Sequence, residues 1–265
     1  MLRHPLHPKL RELRLSGMLS SLEERAELAR EQNLTPVEFL ALLLDDEIER
    51  RRQHGQVRRE QEAGFESLKL LSQFDFGAIP TLDKSLALEM ATCRFICEKE
   101  NWLICGPTGV GKSHLATAIG YEAIKRGMSV LSFATHRLLS DLNAGRADGT
   151  LQKQMKKVCM VDLLILDDFG LRPITAQGAE DLHEIIHRRY ERGSIILTSN
   201  RSPSEWGELF GDSLLASAAI DRLTHHARIT VMTGESYRQR ERRLHPPGSG
   251  KACPGPSQGV SPDLS

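Results

Sequence analysis

The sequence predicts an α/β fold built on a parallel sheet, with a small helical region ahead of it. Three observations carry that expectation. From about residue 71 to 235, short apolar runs alternate with amphipathic stretches, as successive strand–helix units do. One such unit holds GPTGVGKS (106–113), a glycine-rich loop set between an apolar run and an amphipathic one. Residues 1 to about 70 are rich in Leu, Glu and Arg and read as helical throughout.

Taken in order, the helical region contains LTPVEFLALLLDDEIERRRQ, where Thr35 stands at an N-cap, Pro36 at the first helical position and Glu38 three residues after the cap. That is a capping box, in which side chain and backbone satisfy each other's orphan groups. Leu40, Leu43, Leu44 and Ile48 follow as one expected apolar stripe. Residues 1–62 hold 11 Lys/Arg against 12 Asp/Glu, so this is not a basic arm. It reads as a small bundle that docks on a protein partner or on DNA, with Arg50, Arg51 and Arg52 as candidate contacts.

Strands are predicted at NWLIC (101–105), SVLSFA (129–134), DLLILD (162–167), SIILTS (194–199) and RITVM (228–232). The third is almost wholly apolar, as a central parallel strand buried on both faces should be. Helices fill the gaps, notably 112–126, closed by Gly127, and 177–190. From residue 246, thirteen of 20 residues are Gly, Pro or Ser, which predicts a disordered tail. Its GSGK has no strand before it or helix after it, so it is not read as a phosphate loop.

Composition narrows the function classes. At 265 residues, 40% hydrophobic and 26% charged, the chain has the material for a sizeable core. A net charge of +0 gives no global field for nucleic acid, so any basic surface must be local. The five cysteines are scattered without a CxxC pair, which suggests reduced thiols rather than a disulfide frame. MLRHPLHPKL lacks the apolar stretch of a signal peptide, and FLALLL (39–44) is far too short to cross a bilayer. The expectation is a cytoplasmic protein with no membrane partner.

GPTGVGKS fits GxxxxGK[ST] in full and sits where the chemistry needs it, between a strand and a helix. Glycines let backbone N–H groups curl around phosphates, and the helix N-terminus adds its positive end. Gly106, Pro107, Thr108, Gly109, Val110, Gly111, Lys112, Ser113 and His114 are therefore the candidate nucleotide-binding residues. Lys112 is placed to reach the β- and γ-phosphates of ATP, and Ser113 to offer a hydroxyl to Mg²⁺. The third strand delivers Asp167 to the magnesium shell. Asp168 follows where a general base or water-orienting carboxylate is expected. Asn200, after the fourth strand, would face the γ-phosphate and the attacking water. Arg222, in AIDRL before the last strand, is a candidate finger acting on ATP held by a neighbouring subunit.

A second motif competes. HEIIH (183–187) spells a zinc-protease signature, with His183 and His187 on one helical face and Glu184 as the base. The extended form needs glycine at 190 and histidine at 193, where this chain has Tyr190 and Gly193. Ile185 and Ile186 read instead as the buried stripe of a crossover helix. His225 and His226 read as packing or DNA-proximal residues rather than a metal site.

Several stretches, in this order, resemble the AAA+ ATPases, and more narrowly the IstB-like helper ATPases of bacterial insertion sequences. They are SQFDFGAIPTLDK, ATCRFICEKENWLICGPTGVGKSHLA, LLILDDFG, RRYERGSIILTSN, SEWGELFGD, AIDRLTHHARI and GESYRQRERR. The resemblance runs from about residue 5 to 243. It implies a P-loop NTPase αβα sandwich with parallel strand order 5-1-4-3-2. It also implies hydrolysis of ATP to ADP and phosphate, ATP-driven self-association into an oligomer on double-stranded DNA, and recruitment of an IstA-like partner transposase. Lys112 and Ser113 would hold nucleotide and magnesium, Asp167 and Asp168 serve metal and water, Asn200 sense and Arg222 act as finger. Aspartate at 168, rather than the glutamate of many related ATPases, is usual in this branch.

Under this resemblance the chain divides into a helical docking domain (1–70), an ATPase domain (71–245) and a tail (246–265). Few residues follow the last strand, so a helical lid is not expected, and Arg238 is a candidate to replace the lid's arginine. DNA contacts are expected from local positive charge at Arg137, Arg146, Lys153, Lys156 and Lys157, and from the arginines of YRQRERR. They would go to phosphates and confer little sequence preference. The alternative function is a DnaC-like replicative helicase loader; SEWGELFGD and the short helical N-terminus favour the transposition helper. A DNA-binding scaffold with a structural nucleotide and a zinc hydrolase are the other rivals.

Overall fold

The computed structural model describes residues 5–237; the expected tail, Arg238 and the arginines after it lie outside them. Three helices come first: α1 (His7–Glu12), α2 (Ser16–Glu31) and α3 (Pro36–Ala63). The capping box at Thr35 forms, Thr35 N donating to Glu38 Oε2 at 2.7 Å and Glu38 N to Thr35 Oγ1 at 3.3 Å. The predicted apolar stripe of α3 does not form as one surface. Leu43 is buried with Leu10, Met18 and Leu22, whereas Leu40, Leu44 and Ile48 are exposed. The buried face continues to Glu47, whose carboxylate accepts from Gly17 N, at 2.6 Å, and from Arg51 Nε. α2 and α3 approach so closely there that a Cβ on Gly17 would lie 2.6 Å from Glu47 Cα, so only glycine fits.

The C-terminal end of α3 reaches the main core, where Ala63 is fully buried. Helices α4 (Lys84–Ala91) and α5 (Arg94–Cys97) lead into β1 (Asn101–Cys105). Then come α6 (Lys112–Lys125), β2 (Val130–Ala134), α7 (Thr135–Asp148), α8 (Leu151–Met160), β3 (Leu163–Phe169), α9 (Ala176–Arg189), β4 (Ser194–Ser199), α10 (Ser213–His225) and β5 (Ala227–Val231). All four strand pairings are parallel and the order is β2-β3-β4-β1-β5, the expected 5-1-4-3-2 read from the other edge.

Alternation along each strand feeds two cores. Trp102, Ile104, Leu163, Ile165 and Ile196 pack with α4, α5 and α6; Leu103, Cys105, Leu164, Leu166, Ile195 and Leu197 pack with α7 to α10. The result is the αβα sandwich. Gly127 closes α6 at φ 87°, with Met128 N donating to Ala123 O. Among the described residues no helix is long and apolar enough to cross a membrane.

Among the described residues, one charged side chain sits wholly inside. Arg189, 0% exposed, ends α9 and donates to the carbonyls of Val158, Val161, Asp162 and Ser194. Burial lowers its pKa to about 10, so it keeps its proton at neutral pH. It ties the end of α8 to the start of β4 and fixes the turn that leaves α9.

Candidate functional site

The C-terminal ends of parallel strands are where loops converge over exposed backbone, and β1, β3 and β4 meet there. After β1 the chain turns through Gly106, Gly109 and Gly111, at φ 149°, 87° and 94°, before α6 begins at Lys112. A Cβ at Gly106 would come 2.1 Å from Met232 O, so glycine is required where β5 leaves the sheet. The loop's glycines therefore fold it into a concave turn at the N-terminus of a 14-residue helix, which fits an anion.

Lys112 is 6% exposed. Its ammonium donates to Gly106 O (2.8 Å), Pro107 O (2.9 Å) and Asn200 Oδ1 (2.6 Å). Burial pulls its pKa down, and the charges of Asp168 and Asp167 oppose that. Asn200 Nδ2 in turn donates to Thr108 Oγ1 at 3.1 Å. The loop and the end of β4 are thus joined through one lysine and one asparagine. Ser113 Oγ donates to Asp167 Oδ1 at 2.8 Å, which joins α6 to the end of β3.

β3 runs two residues beyond its predicted end, and the reason bears on the chemistry. Leu166 pairs with Leu197 and Phe169 with Ser199, so β3 carries one extra residue there, a bulge. Asp168 holds φ 53°, a left-handed conformation uncommon outside glycine but better tolerated by Asp. In a regular strand the carboxylates of Asp167 and Asp168 would point to opposite faces; the bulge breaks that alternation. Thr198 supports it with one hydroxyl, which accepts from Asp168 N at 3.1 Å and donates to Asp167 Oδ1. Thr135 Oγ1 donates to Asp167 O at 2.9 Å. Neither threonine was singled out from sequence, although a polar side chain two residues before Asn200, in the wholly buried β4, was the available signal for Thr198.

Two candidates stand apart from this cluster. The His114 ring nitrogen Nε2 meets Leu70 O at 3.1 Å and its ring packs edge-on to Phe74, so its side chain faces the linker before α4. Arg222, near the end of α10, lies beside Lys99, Asn101 and Tyr190, at the N-terminal ends of β1 and β4. It is on the sheet edge opposite Lys112 and donates to Ala218 O at 2.7 Å. Within this chain it does not meet the phosphate loop.

Among the expected DNA contacts, Arg137 on α7 and Lys153, Lys156 and Lys157 on α8 are exposed, while Met155 and Val158 of α8 face inward. Arg146 is different: both its terminal nitrogens bind the Asp181 carboxylate, so it bridges α7 and α9. The protease motif lies on α9, where Glu184 is held by Arg188 at 2.5 Å. Ile185 and Ile186 are buried as expected.

These residues fit ATP and magnesium by their chemistry: a glycine cradle at a helix N-terminus, a buried ammonium, and a hydroxyl–carboxylate pair. The family model of the IstB-like ATP binding proteins matches residues 8–245. A protein named for ATP binding in insertion sequence IS21 of Pseudomonas aeruginosa is 38% identical over 240 residues, 91% of each chain. Its counterpart in IS5376 of Geobacillus stearothermophilus is 39% identical over 243 residues, 92% of this chain and 97% of that one. Among solved structures, DnaI superposes with a TM-score of 0.54 at 23% identity, covering 62% of this chain and 91% of that one. AMPPCP-bound DnaA from Aquifex aeolicus gives 0.51 at 24% identity, covering 66% and 55%.

Proposed function

Because the chain belongs to the IstB-like ATP binding protein family, we propose that it is the magnesium-dependent ATPase of an insertion sequence, one that assembles on duplex target DNA and recruits an IstA-like partner transposase. The observation that carries the proposal is the junction of Lys112, Asn200, Ser113 and Asp167, which ties phosphate loop, β3 and β4 into one cluster. The relatives' names, which place them in insertion sequences, support the setting. The likeness to DnaI and DnaA supports the fold alone.

In this reading the backbone of Gly106–Ser113 cradles the phosphates and Lys112 exchanges its carbonyl partners for phosphate oxygens. Ser113 and Asp167 would hold magnesium, which would supply positive charge to offset that of the phosphates. Asp168 orients water or takes its proton, and Asn200 fixes that water against the terminal phosphate. Arg222 reaches the site of a neighbouring copy. Residues 1–70 act as a docking module, residues 71–245 as the ATPase domain, and the work takes place in the cytoplasm. Arg137, Lys153, Lys156 and Lys157 contact DNA phosphates.

Thr198 is a positioning residue in this scheme. Thr198→Val keeps the shape but removes the acceptor of the Asp168 N–H and one of the two hydroxyl donors to Asp167 Oδ1, leaving Ser113 as the other. Turnover of ATP is expected to fall roughly 10–100-fold, the usual cost of losing a group that orients a metal ligand. The KM for ATP should stay near wild type, and steady-state kinetics would measure both.

Assembly is tested by sedimentation velocity and electron microscopy of the full chain with duplex DNA. The proposal expects large protein–DNA particles with ATP and few with ADP. Particles of the same size and yield with either nucleotide, or with none, would remove ATP from the assembly step.

A further inference from the structure

At the N-terminal ends of β1 and β4, three metal-binding side chains converge from two segments. Glu191 sits in the turn after α9, and His225 and His226 join α10 to β5. One donor atom from each lies within 4.8 Å of the other two, and all three side chains are exposed. His226 Nε2 is 3.8 Å from Glu191 Oε1. Two ligands on one tetrahedral zinc ion stand about 3.4 Å apart when each bond is near 2.1 Å. Small rotations of exposed side chains close that gap without moving the backbone.

The backbone beneath them is fixed. Asn101 N donates to His226 O at 2.8 Å, Asn101 Nδ2 to Leu223 O at 3.1 Å, and Asn101 Oδ1 accepts from Ile195 N at 2.9 Å. One asparagine thus ties both ligand-bearing segments to β1. Buried Arg189 holds the start of the Glu191 turn, accepting there the N–H groups of Arg192 and Gly193 on its carbonyl at 2.9 and 3.0 Å. Glu191 itself takes φ 56°, a strained conformation for a non-glycine residue.

The outer contact of His225 also suits a ligand. Its Nδ1 is 2.7 Å from the Tyr190 hydroxyl. With Nδ1 protonated and donating to the phenol oxygen, Nε2 keeps its lone pair for a metal, the arrangement that metal-bound imidazoles commonly use.

We propose that Glu191, His225 and His226 form a site for a borderline-soft divalent cation of the zinc class, with Tyr190 orienting His225 and a fourth position open to solvent. Two imidazoles and one carboxylate match zinc chemistry; magnesium and calcium favour all-oxygen sets. His183 and His187 play no part: their rings lie 6.2 Å apart, and the metal-capable grouping among the described residues excludes both. Arg222 lines the same cleft as Tyr190, Glu191 and His226. The ion would therefore sit beside the arginine assigned above to the neighbouring subunit.

The test uses the full, untagged chain, stripped of metal and titrated with Zn²⁺ against a chromophoric chelator, with Co²⁺ as a spectroscopic substitute. Wild type should bind one equivalent, and Co²⁺ should show a tetrahedral or five-coordinate spectrum without thiolate charge transfer. E191Q and H226A should each weaken Zn²⁺ at least tenfold, and together at least 100-fold, while metal-free melting temperatures stay near wild type because the replaced groups are exposed. H183A with H187A should bind like wild type. No saturable Zn²⁺ binding, undiminished binding in E191Q/H226A, loss in H183A/H187A, or a thiolate signature would each overturn the site. No nucleotide enters the titration, so its outcome is separate from that of the ATPase reading.

Discussion

Lys112→Ala is expected to abolish measurable ATP binding, a loss of at least roughly 100-fold in affinity, or about 2.7 kcal/mol. The ammonium sits at the centre of the loop, bound to two of its carbonyls and to Asn200. A buried cation that exchanges neutral partners for a phosphate gains charge-assisted hydrogen bonds, each worth about 1.5–3 kcal/mol. Alanine supplies none of them and leaves the cradle's positive charge to the helix end alone. The fold should survive, because the aliphatic core beneath α6 is untouched and the lysine's own burial disfavours its charge. Equilibrium titration with a fluorescent ATP analogue, alongside far-UV circular dichroism, measures both. Full turnover by this variant would refute the site assignment, and ATP-dependent assembly on DNA should vanish with binding.

Arg222→Ala should behave in the opposite sense. Its guanidinium is on the far edge of the sheet from Lys112, hydrogen-bonded to Ala218 O and lining a cleft with Asn101 and Tyr190. ATP affinity is therefore expected to stay within about twofold of wild type. Turnover should fall by 10³-fold or more, the range associated with removing an arginine finger. An arginine serving only as a surface ion-pair partner would change stability by less than about 1 kcal/mol and leave turnover alone.

Much of the fold was legible because the strands are short and apolar, and because glycines punctuate the helices between them. GPTGVGKS lies between NWLIC and an amphipathic helix, and the structure keeps that order. The strand order itself was not readable from spacing; it came with the family resemblance. Three features were hidden for physical reasons. The α3 stripe was misread because residues 39, 43 and 47 share one face while 40, 44 and 48 share the adjoining one, and periodicity alone cannot choose which is buried. The bulge at Asp167-Asp168 depends on pairing with Thr198, a contact 30 residues away. The remoteness of Arg222 from the loop follows from where α10 crosses the sheet, and one-dimensional order does not reveal that.

A single mixing experiment bears most directly on the claim that each nucleotide site is completed by a second copy. Asp168→Asn disables the water-handling carboxylate but keeps Arg222; Arg222→Ala does the reverse. Each variant alone should be nearly inactive. Mixed in equal amounts with DNA, they should recover a substantial fraction of wild-type ATP turnover, because an intact Asp168 in one copy meets an intact Arg222 from its neighbour. A mixture no more active than the sum of its parts, under conditions where the two proteins co-assemble, would contradict the shared site.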